Sequence, residues 1–210
     1  MILLGVPGAG KGTLAQALQH QGVAQQISTG DLFRKEIMAN TELGKTVKEG
    51  IAAGKLASDE ITLQLVSKAI TGNVILDGYP RTVKQADDLD ALLAVQGKKI
   101  DLVVNLFADE STIVDRIVNR VICSKCHAIF NKKYAPPKTE GVCDKCSGQL
   151  IHRSDDDESV IKQRIMEYDS KTKPLIARYE KQGIVLGVDS RRENAVEYVK
   201  NYVAQLRLIH

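Results

Sequence analysis

Near the start of the chain three glycines and a lysine stand in the pattern Gly5-x-x-Gly8-x-Gly10-Lys11, directly after the apolar run Met1–Leu4. Glycine lets the backbone turn tightly and aim successive N–H groups at one point, and such a nest binds phosphate oxygens. Lys11 adds positive charge for the terminal phosphates. A helix over Lys11–His20 would set the positive end of its dipole against the same anion. That strand–loop–helix context separates the pattern from a chance glycine-rich turn. Position 12 is Gly where Ser or Thr usually reaches magnesium, and Thr13 stands one place later.

A second stretch with chemistry is Val74-Ile-Leu-Asp-Gly-Tyr-Pro-Arg81. A buried strand ending in Asp77 puts a carboxylate where magnesium beside a bound phosphate would lie; the plain alternative is a strand-ending turn. Gly78 admits close backbone approach, Pro80 stiffens the turn, and Arg81 emerges beside the phosphate loop. Thr82–Gln85 fits a capping box, so Gln85 is either a cap partner or a site residue. Arg116 and Arg120, four apart, are expected on one face of a helix capped by Asp109. Arg153 and Arg164 follow further on. Scattered arginines are usually surface charges, but these four flank one insertion, and arginine suits bidentate contact with phosphate.

That insertion contains Cys123-x2-Cys126-x16-Cys143-x2-Cys146, the spacing of a four-thiolate zinc site. Four ligands close the tetrahedron and leave no position for catalysis, so the metal would be structural. Disulfides are the alternative, and His127 and His152 could compete as ligands. From Val121 to Arg153 there are six Lys/Arg and two Asp/Glu. A module of that charge could close over a triphosphate or touch RNA; charge alone does not decide.

These groups need a scaffold. At 210 residues the chain fits one domain plus insertions, and 43 % hydrophobic with 26 % charged residues is ordinary for a soluble globular protein. A net charge of +3 argues against a dedicated nucleic-acid binder while leaving local patches open. No apolar run is long enough to span a membrane. A strand beginning at residue 1 leaves no room for a leader peptide and points to the cytoplasm, where clustered cysteines read as metal ligands.

Apolar β-rich runs recur at Met1–Leu4, Gln26–Ser28, Val74–Leu76, Leu102–Phe107 and Ile184–Val188, with helical patterns between them. This alternation predicts a parallel sheet with helices on both faces, and ligands beyond the carboxyl ends of its strands. Ser28 and Thr29 are N-caps for a helix to about Ala39 that carries Arg34. Glu42–Gly50 is a second helical pattern, ended by Gly54-Lys55-Leu56. Few large apolar residues there suggest a mobile subdomain; a solvated helical hairpin is the bland alternative. Asp155–Glu158 precedes a long helix to about Gln182 that Pro174 should kink or split. The acids there favour the helix N-terminus through its dipole, or serve as a hinge or closed-state contact. Val196, Val199, Val203 and Leu206 form the core stripe of a last helix.

Together these residues resemble the adenylate kinase family, in its long-lid zinc-binding form. The matching motifs are Gly5–Thr13 with its Gly-Lys-Gly-Thr ending, Ser28-Thr-Gly-Asp-Leu-Phe-Arg34, Gly54-Lys-Leu56, Leu76–Arg81, Asp115-Arg116 with Arg120, the four cysteines, and Arg153 with Asp155-Asp156. The resemblance spans the whole length. It implies a three-layer α/β P-loop fold around a central parallel five-stranded sheet, with a helical AMP-binding insertion and a zinc-ribbon-like lid. The implied domains are a core of 1–27, 58–118 and 157–210, an AMP-binding domain of 28–57 and a lid of 119–156. The implied reaction converts ATP and AMP to two ADP, with Mg2+ accompanying ATP and one structural Zn2+ in the lid. A cytoplasmic monomer with no nucleic-acid or membrane partner is expected.

By position, the resemblance assigns Gly8, Ala9, Gly10, Lys11, Gly12 and Thr13 to the ATP phosphates. Arg116, Arg120, Ile129, Phe130 and Arg192 join them at the ATP site. Thr29, Arg34, Lys55, Leu56, Ala57, Gly78, Tyr79, Pro80, Arg81 and Gln85 would bind AMP. Lys11, Arg81, Arg120, Arg153 and Arg164 would act on the phosphoryl group in transfer, with Arg153 and Arg164 also on the AMP phosphate. Asp77 would orient magnesium. Cys123, Cys126, Cys143 and Cys146 would hold zinc. Two departures stand out: Asn119-Arg120-Val121 where many members have Gly-Arg-Arg, and Asp189-Ser190-Arg191 in place of Asp-Gly-Thr. Another nucleoside monophosphate kinase is the nearest rival reading. A zinc-ribbon nucleic-acid binder would need surplus basic charge or exposed aromatics near the cysteines, and a nucleotide switch would not need six arginines around two sites.

Overall fold

The computed structural model describes residues 1–209. Strand β1 (Ile2–Leu4) runs through the glycine loop into α1 (Lys11–His20) and β2 (Gln25–Ser28). Helices α2 (Thr29–Met38), α3 (Glu42–Ala52) and α4 (Asp59–Ser67) precede β3 (Val74–Asp77) and α5 (Val83–Val95). Then follow β4 (Val103–Phe107), α6 (Glu110–Val118) and three short strands, β5 (Arg120–Cys123), β6 (Ile129–Asn131) and β7 (Leu150–Ile151). Helices α7 (Glu158–Glu167) and α8 (Pro174–Glu180), β8 (Val185–Asp189) and α9 (Ala195–Ile209) complete the chain.

The first sheet has five strands, all parallel, in the order β2-β3-β1-β4-β8. Period-two alternation sends Ile2 and Leu4 of β1 to one face and Leu3 to the other. On the first face they meet Ile27, Val66, Leu76, Leu89 and Leu175, hence α4, α5 and α8. On the second, Leu3 meets Leu14, Leu18, Val104, Leu186 and Val199, hence α1 and α9. This is the three-layer fold expected from the alternating pattern. Strand β1 is flanked by β3 on one side and β4 on the other, so the loop after it leaves the sheet where strand order reverses, the usual crevice for a ligand.

Helix starts follow local chemistry. Ser28, Thr41, Ser58, Thr82 and Asp109 each accept the N–H of the residue three further on, capping α2 to α6 in turn. Helix α1 differs from these: its N-cap is Gly10, with no side chain to cap it, so its first-turn N–H groups are left for a ligand. The α2–α3 pair is closely docked, since a Cβ on Gly44 would lie 2.2 Å from the Glu36 carbonyl oxygen.

One expectation changes in detail. Arg120 does not share a helix with Arg116. Asn119 ends α6 and turns its amide back onto the Asp115 carbonyl at 2.9 Å, and Arg120 opens β5. Strand β5 then pairs antiparallel with β6 and β7, with Val121, Ile122 and Cys123 buried. The long helix toward Gln182 is split at Pro174, as expected. Tyr168–Thr172 is a π-helical turn in which the Lys173 N–H reaches Tyr168 O at 2.8 Å, and Pro174, which has no N–H to give, starts α8. No described helix is long and apolar enough to cross a membrane.

Candidate active site

A cavity of about 400 Å3 opens at the carboxyl edge of the sheet. The glycine loop forms its floor. Gly5 has φ 144°, and a Cβ there would stand 2.4 Å from the Leu106 carbonyl oxygen, so only glycine passes this close to β4. Lys11 folds over the loop and donates to Gly5 O at 2.6 Å and Val6 O at 3.1 Å. Burial, reinforced by Arg81, Arg164 and Arg120 and opposed by Asp77, pushes its ammonium down to about 7. Burial raises the Asp77 carboxyl, against the pull of Lys11 and Arg81. Gln26, from the neighbouring strand, donates to Asp77 Oδ2 at 3.2 Å.

Position 12 gains a reason. A Cβ on Gly12 would lie 2.9 Å from Cδ1 of Ile129, so glycine here admits Ile129 of β6 directly over the loop. Gly8, Gly10, Thr13, Ile129, Phe130, Arg116 and Arg192 all line the cavity. Ala9 does not; it is buried and its N–H closes the turn on Val6 O at 3.1 Å. Arg116 clamps Ser190 twice, Nη1 to Oγ at 2.7 Å and Nη2 to the carbonyl at 3.0 Å. Arg191 bridges Asp189 at 2.6 Å and Asp109 at 2.5 Å, so the Ser190 and Arg191 departures tie this loop to α6. The Arg192 guanidinium lies 4.2 Å over the Tyr198 ring.

A second cavity, of about 70 Å3, lies beside the first. Thr29, Lys55, Ala57 and Gln85 line it alone among the expected site residues. Arg34, Leu56, Gly78, Arg81, Arg153 and Arg164 line both cavities. Pro80 faces the larger one. Tyr79 faces neither; it is fully buried in the core and its hydroxyl donates to Gln85 O at 3.2 Å. Thr29 donates to Gly78 O at 2.8 Å. Thr82 caps α5 as expected, but Gln85 does not complete the capping box; its oxygen takes the Arg81 N–H at 2.7 Å instead. Arg81 is further fixed by its Nε on Gly78 O at 2.8 Å and by Thr172, whose hydroxyl donates to Arg81 O at 2.9 Å.

Asp155 and Asp156 form closed-site contacts rather than a helix cap. Arg120 grips both oxygens of Asp156, and Arg153 grips Asp155 at 2.9 and 2.6 Å. Arg164 donates to Asp155 O at 2.8 Å and to Asp156 Oδ1 at 3.0 Å. Burial would raise the Asp155 carboxyl, but Arg153 and Arg164 outweigh it and hold the group below the usual carboxylate range. Arg34 pairs with Asp31 one turn before it on α2. Residue patterns missed Gln26, Asp31, Thr172 and Ser190; only Asp31, at i,i+3 from Arg34, left a local signal.

Over the larger cavity lies the β6-β5-β7 sheet with the cysteines behind it. Their four sulfurs lie within 4.8 Å of one another and none is bonded to another, an arrangement that favours one shared metal over the disulfide alternative; His127 and His152 are outside the cluster. Cys123 and Cys146 sulfurs are 3.4 Å apart, and those of Cys126 and Cys143 3.6 Å. A tetrahedron with Zn–S of about 2.3 Å needs sulfurs about 3.8 Å apart, so the donors fit that ion. Backbone N–H groups of Lys125 and Lys145 point at Cys123 and Cys143 sulfurs at 3.4 Å each, as suits thiolates.

A family model described as adenylate kinase matches residues 3–184. The adenylate kinase of Clostridioides difficile is 45 % identical over 204 residues, covering 95 % of this chain and 94 % of the relative. That of Archaeoglobus fulgidus is 42 % identical over 198 residues, covering 92 % and 91 %. That of Caldicellulosiruptor saccharolyticus is 42 % identical over 200 residues, covering 93 % of each.

Proposed function

The chain belongs to the adenylate kinase family, and on that premise we propose how its residues carry out the family's reaction, the reversible transfer of the terminal phosphoryl group of ATP to AMP. One observation carries the assignment: two cavities, one floored by the phosphate loop, meet at Arg34, Arg81, Arg153 and Arg164. Two phosphate-bearing substrates entering from opposite ends would bring their phosphates together at that junction.

In this reading the larger cavity takes ATP and the smaller one AMP. The N–H groups of Gly8–Thr13 and the α1 dipole hold the donor phosphates. Lys11 leaves the Gly5 and Val6 carbonyls for the terminal phosphate, which also restores its charge. Arg116 and Arg192 border the donor base, with Ile129 and Phe130 over the nucleotide. Thr29, Gln85 and the Lys55–Ala57 backbone receive the acceptor base and sugar, and Arg34 its phosphate. Arg81, Arg120, Arg153 and Arg164 surround the phosphoryl group in flight. Phosphoryl transfer needs alignment, charge neutralisation and exclusion of water rather than covalent help, and these residues supply each. Residues 28–57 and 119–156 act as the two covers, and the remainder as the rigid base.

The family uses Mg2+ with ATP. Asp77, a buried carboxylate facing Lys11 and hydrogen-bonded by the Gln26 side chain, suits its orientation. Bound there, the ion neutralises charge on the donor phosphates. One zinc on Cys123, Cys126, Cys143 and Cys146 has no open position for substrate, so its role is to hold the lid together. A cytoplasmic monomer acting on ATP, AMP and ADP alone is the setting we infer; free clustered thiols suit a reducing compartment. The test is a panel of monophosphate acceptors with ATP and magnesium, products read by phosphorus NMR. AMP should be preferred, giving ADP only; comparable turnover with UMP or CMP overturns the acceptor assignment.

A further inference from the structure

Gln85 is held from behind by two partners that cannot exchange roles. Its side chain is 2 % exposed. Its Oε1 accepts from the Arg81 N–H at 2.7 Å, and its Nε2 donates to Asp59 Oδ1 at 2.9 Å. A backbone N–H can only donate and a carboxylate can only accept, so each partner independently fixes which end of the amide is oxygen. Turning the amide over would set its carbonyl against the Asp59 carboxylate and its NH2 against the Arg81 N–H. Asp59 is itself steadied in the first turn of α4 by the Thr82 hydroxyl at 3.1 Å.

An amide held this way keeps one carbonyl lone pair and one N–H for the smaller cavity, which it lines. That pair complements adenine, whose N6–H donor stands beside the N1 acceptor. Hypoxanthine and guanine present the reverse polarity, an O6 acceptor beside an N1–H donor. We propose that Asp59 is a specificity-determining residue: with the Arg81 amide it locks Gln85 in the adenine-reading orientation and so turns away 6-oxopurine monophosphates. Asp59 touches no substrate and acts through Gln85, as a positioning residue. The inference rests on the reading of the smaller cavity as the acceptor site.

Asp59→Asn replaces the carboxylate with a group of the same shape that can accept or donate, which frees one side of the lock. Steady-state kinetics with ATP and magnesium, on the full chain, should show the kcat/KM ratio of AMP to IMP falling about tenfold or more, the scale of a hydrogen bond to a charged group. The kcat/KM for IMP itself should rise. A merely structural role would lower both acceptors together and keep the ratio, which overturns the lock. Gln85→Ala separates the two layers of the argument. If it collapses the ratio while Asp59→Asn does not, the lock is wrong and the acceptor site stands; if it leaves the ratio intact, the acceptor site reading is wrong. Should Asp59→Asn fail to fold, the unchanged chain still decides: the Gln85 side-chain NH2 should exchange slowly with water in NMR spectra without nucleotide, and exchange as fast as an exposed glutamine overturns the proposal.

Discussion

Lys11 is held in the unliganded fold at a cost to its charged form, and replacing it tests that directly. Its ammonium falls from an ordinary 10.5 to about 7. Because the folded value is the lower one, the unfolded chain binds more protons between about pH 7 and 10.5. Stability therefore rises with pH across that window and carries the full penalty below it. A shift of 3.5 units at about 1.4 kcal/mol each sets an upper limit of about 5 kcal/mol. Solvent reaches part of the side chain, and Lys11→Met also gives up hydrogen bonds to Gly5 and Val6 worth about 1 kcal/mol each. What remains is a gain of about 2 kcal/mol at pH 7, or about 4–8 °C in melting temperature. Denaturant titrations at half-unit steps from pH 6.5 to 10 would follow it. Lys11→Met should lead the parent by most at neutral pH, and its lead should shrink, close and then reverse toward pH 10, where only the lost hydrogen bonds remain. The variant should also lose ATP binding, since the positive charge at the terminal phosphate is gone. A variant less stable than the parent at every pH, or a gap that does not close, refutes the reasoning.

Arg81→Ala should cut turnover on the order of 10³-fold while ATP affinity by calorimetry changes little; a loss below about tenfold at saturating substrates removes Arg81 from the reacting centre. Metal analysis of protein purified without chelator should find one zinc per chain. Stripping it should lower the melting temperature and leave some activity, because the phosphate loop and Arg81 stand on the main sheet; a folded apo-enzyme of unchanged melting temperature would count against a structural role. Two adenosines joined by a five-phosphate chain should bind far tighter than ATP, since one association fills both cavities; affinity no better than ATP's means that the cavities do not adjoin for this purpose.

What could be read from the residues alone was what is local. The glycine loop, the carboxylate closing β3 and the capped starts of α2 and α6 each lie within a dozen residues, and the cysteine spacing within two dozen. Their chemistry works at that range. Arg120 was misplaced because a spacing of four favours a helix only if the helix continues, and Asn119 stops it. Tyr79 lies between site residues yet points into the core, as alternate side chains of an extended segment do. The partners that orient the site come from far off in sequence. Gln26 reaches Asp77 because β2 and β3 are neighbours. Thr172 reaches Arg81 across 91 residues, and Asp59 reaches Gln85 across 26. No spacing rule encodes such pairs; only the packed sheet and helices bring them together.

The pairing of Arg120, Arg153 and Arg164 with Asp155 and Asp156 makes the centre resemble an ion exchanger already loaded with its own counter-ions. Unpartnered guanidinium groups gathered in one cleft would soak up any small anion the solution offers. Here an incoming anion must outcompete carboxylates that the chain itself keeps at high local concentration. A chloride or a single acetate brings one charge and gains little from the exchange. A polyphosphate brings several charges on one covalent chain and could displace both aspartates at once. The carboxylates are thus expected to act as a charge threshold, admitting substrates by how many negative groups they deliver together and keeping the cleft from filling with the common anions around it.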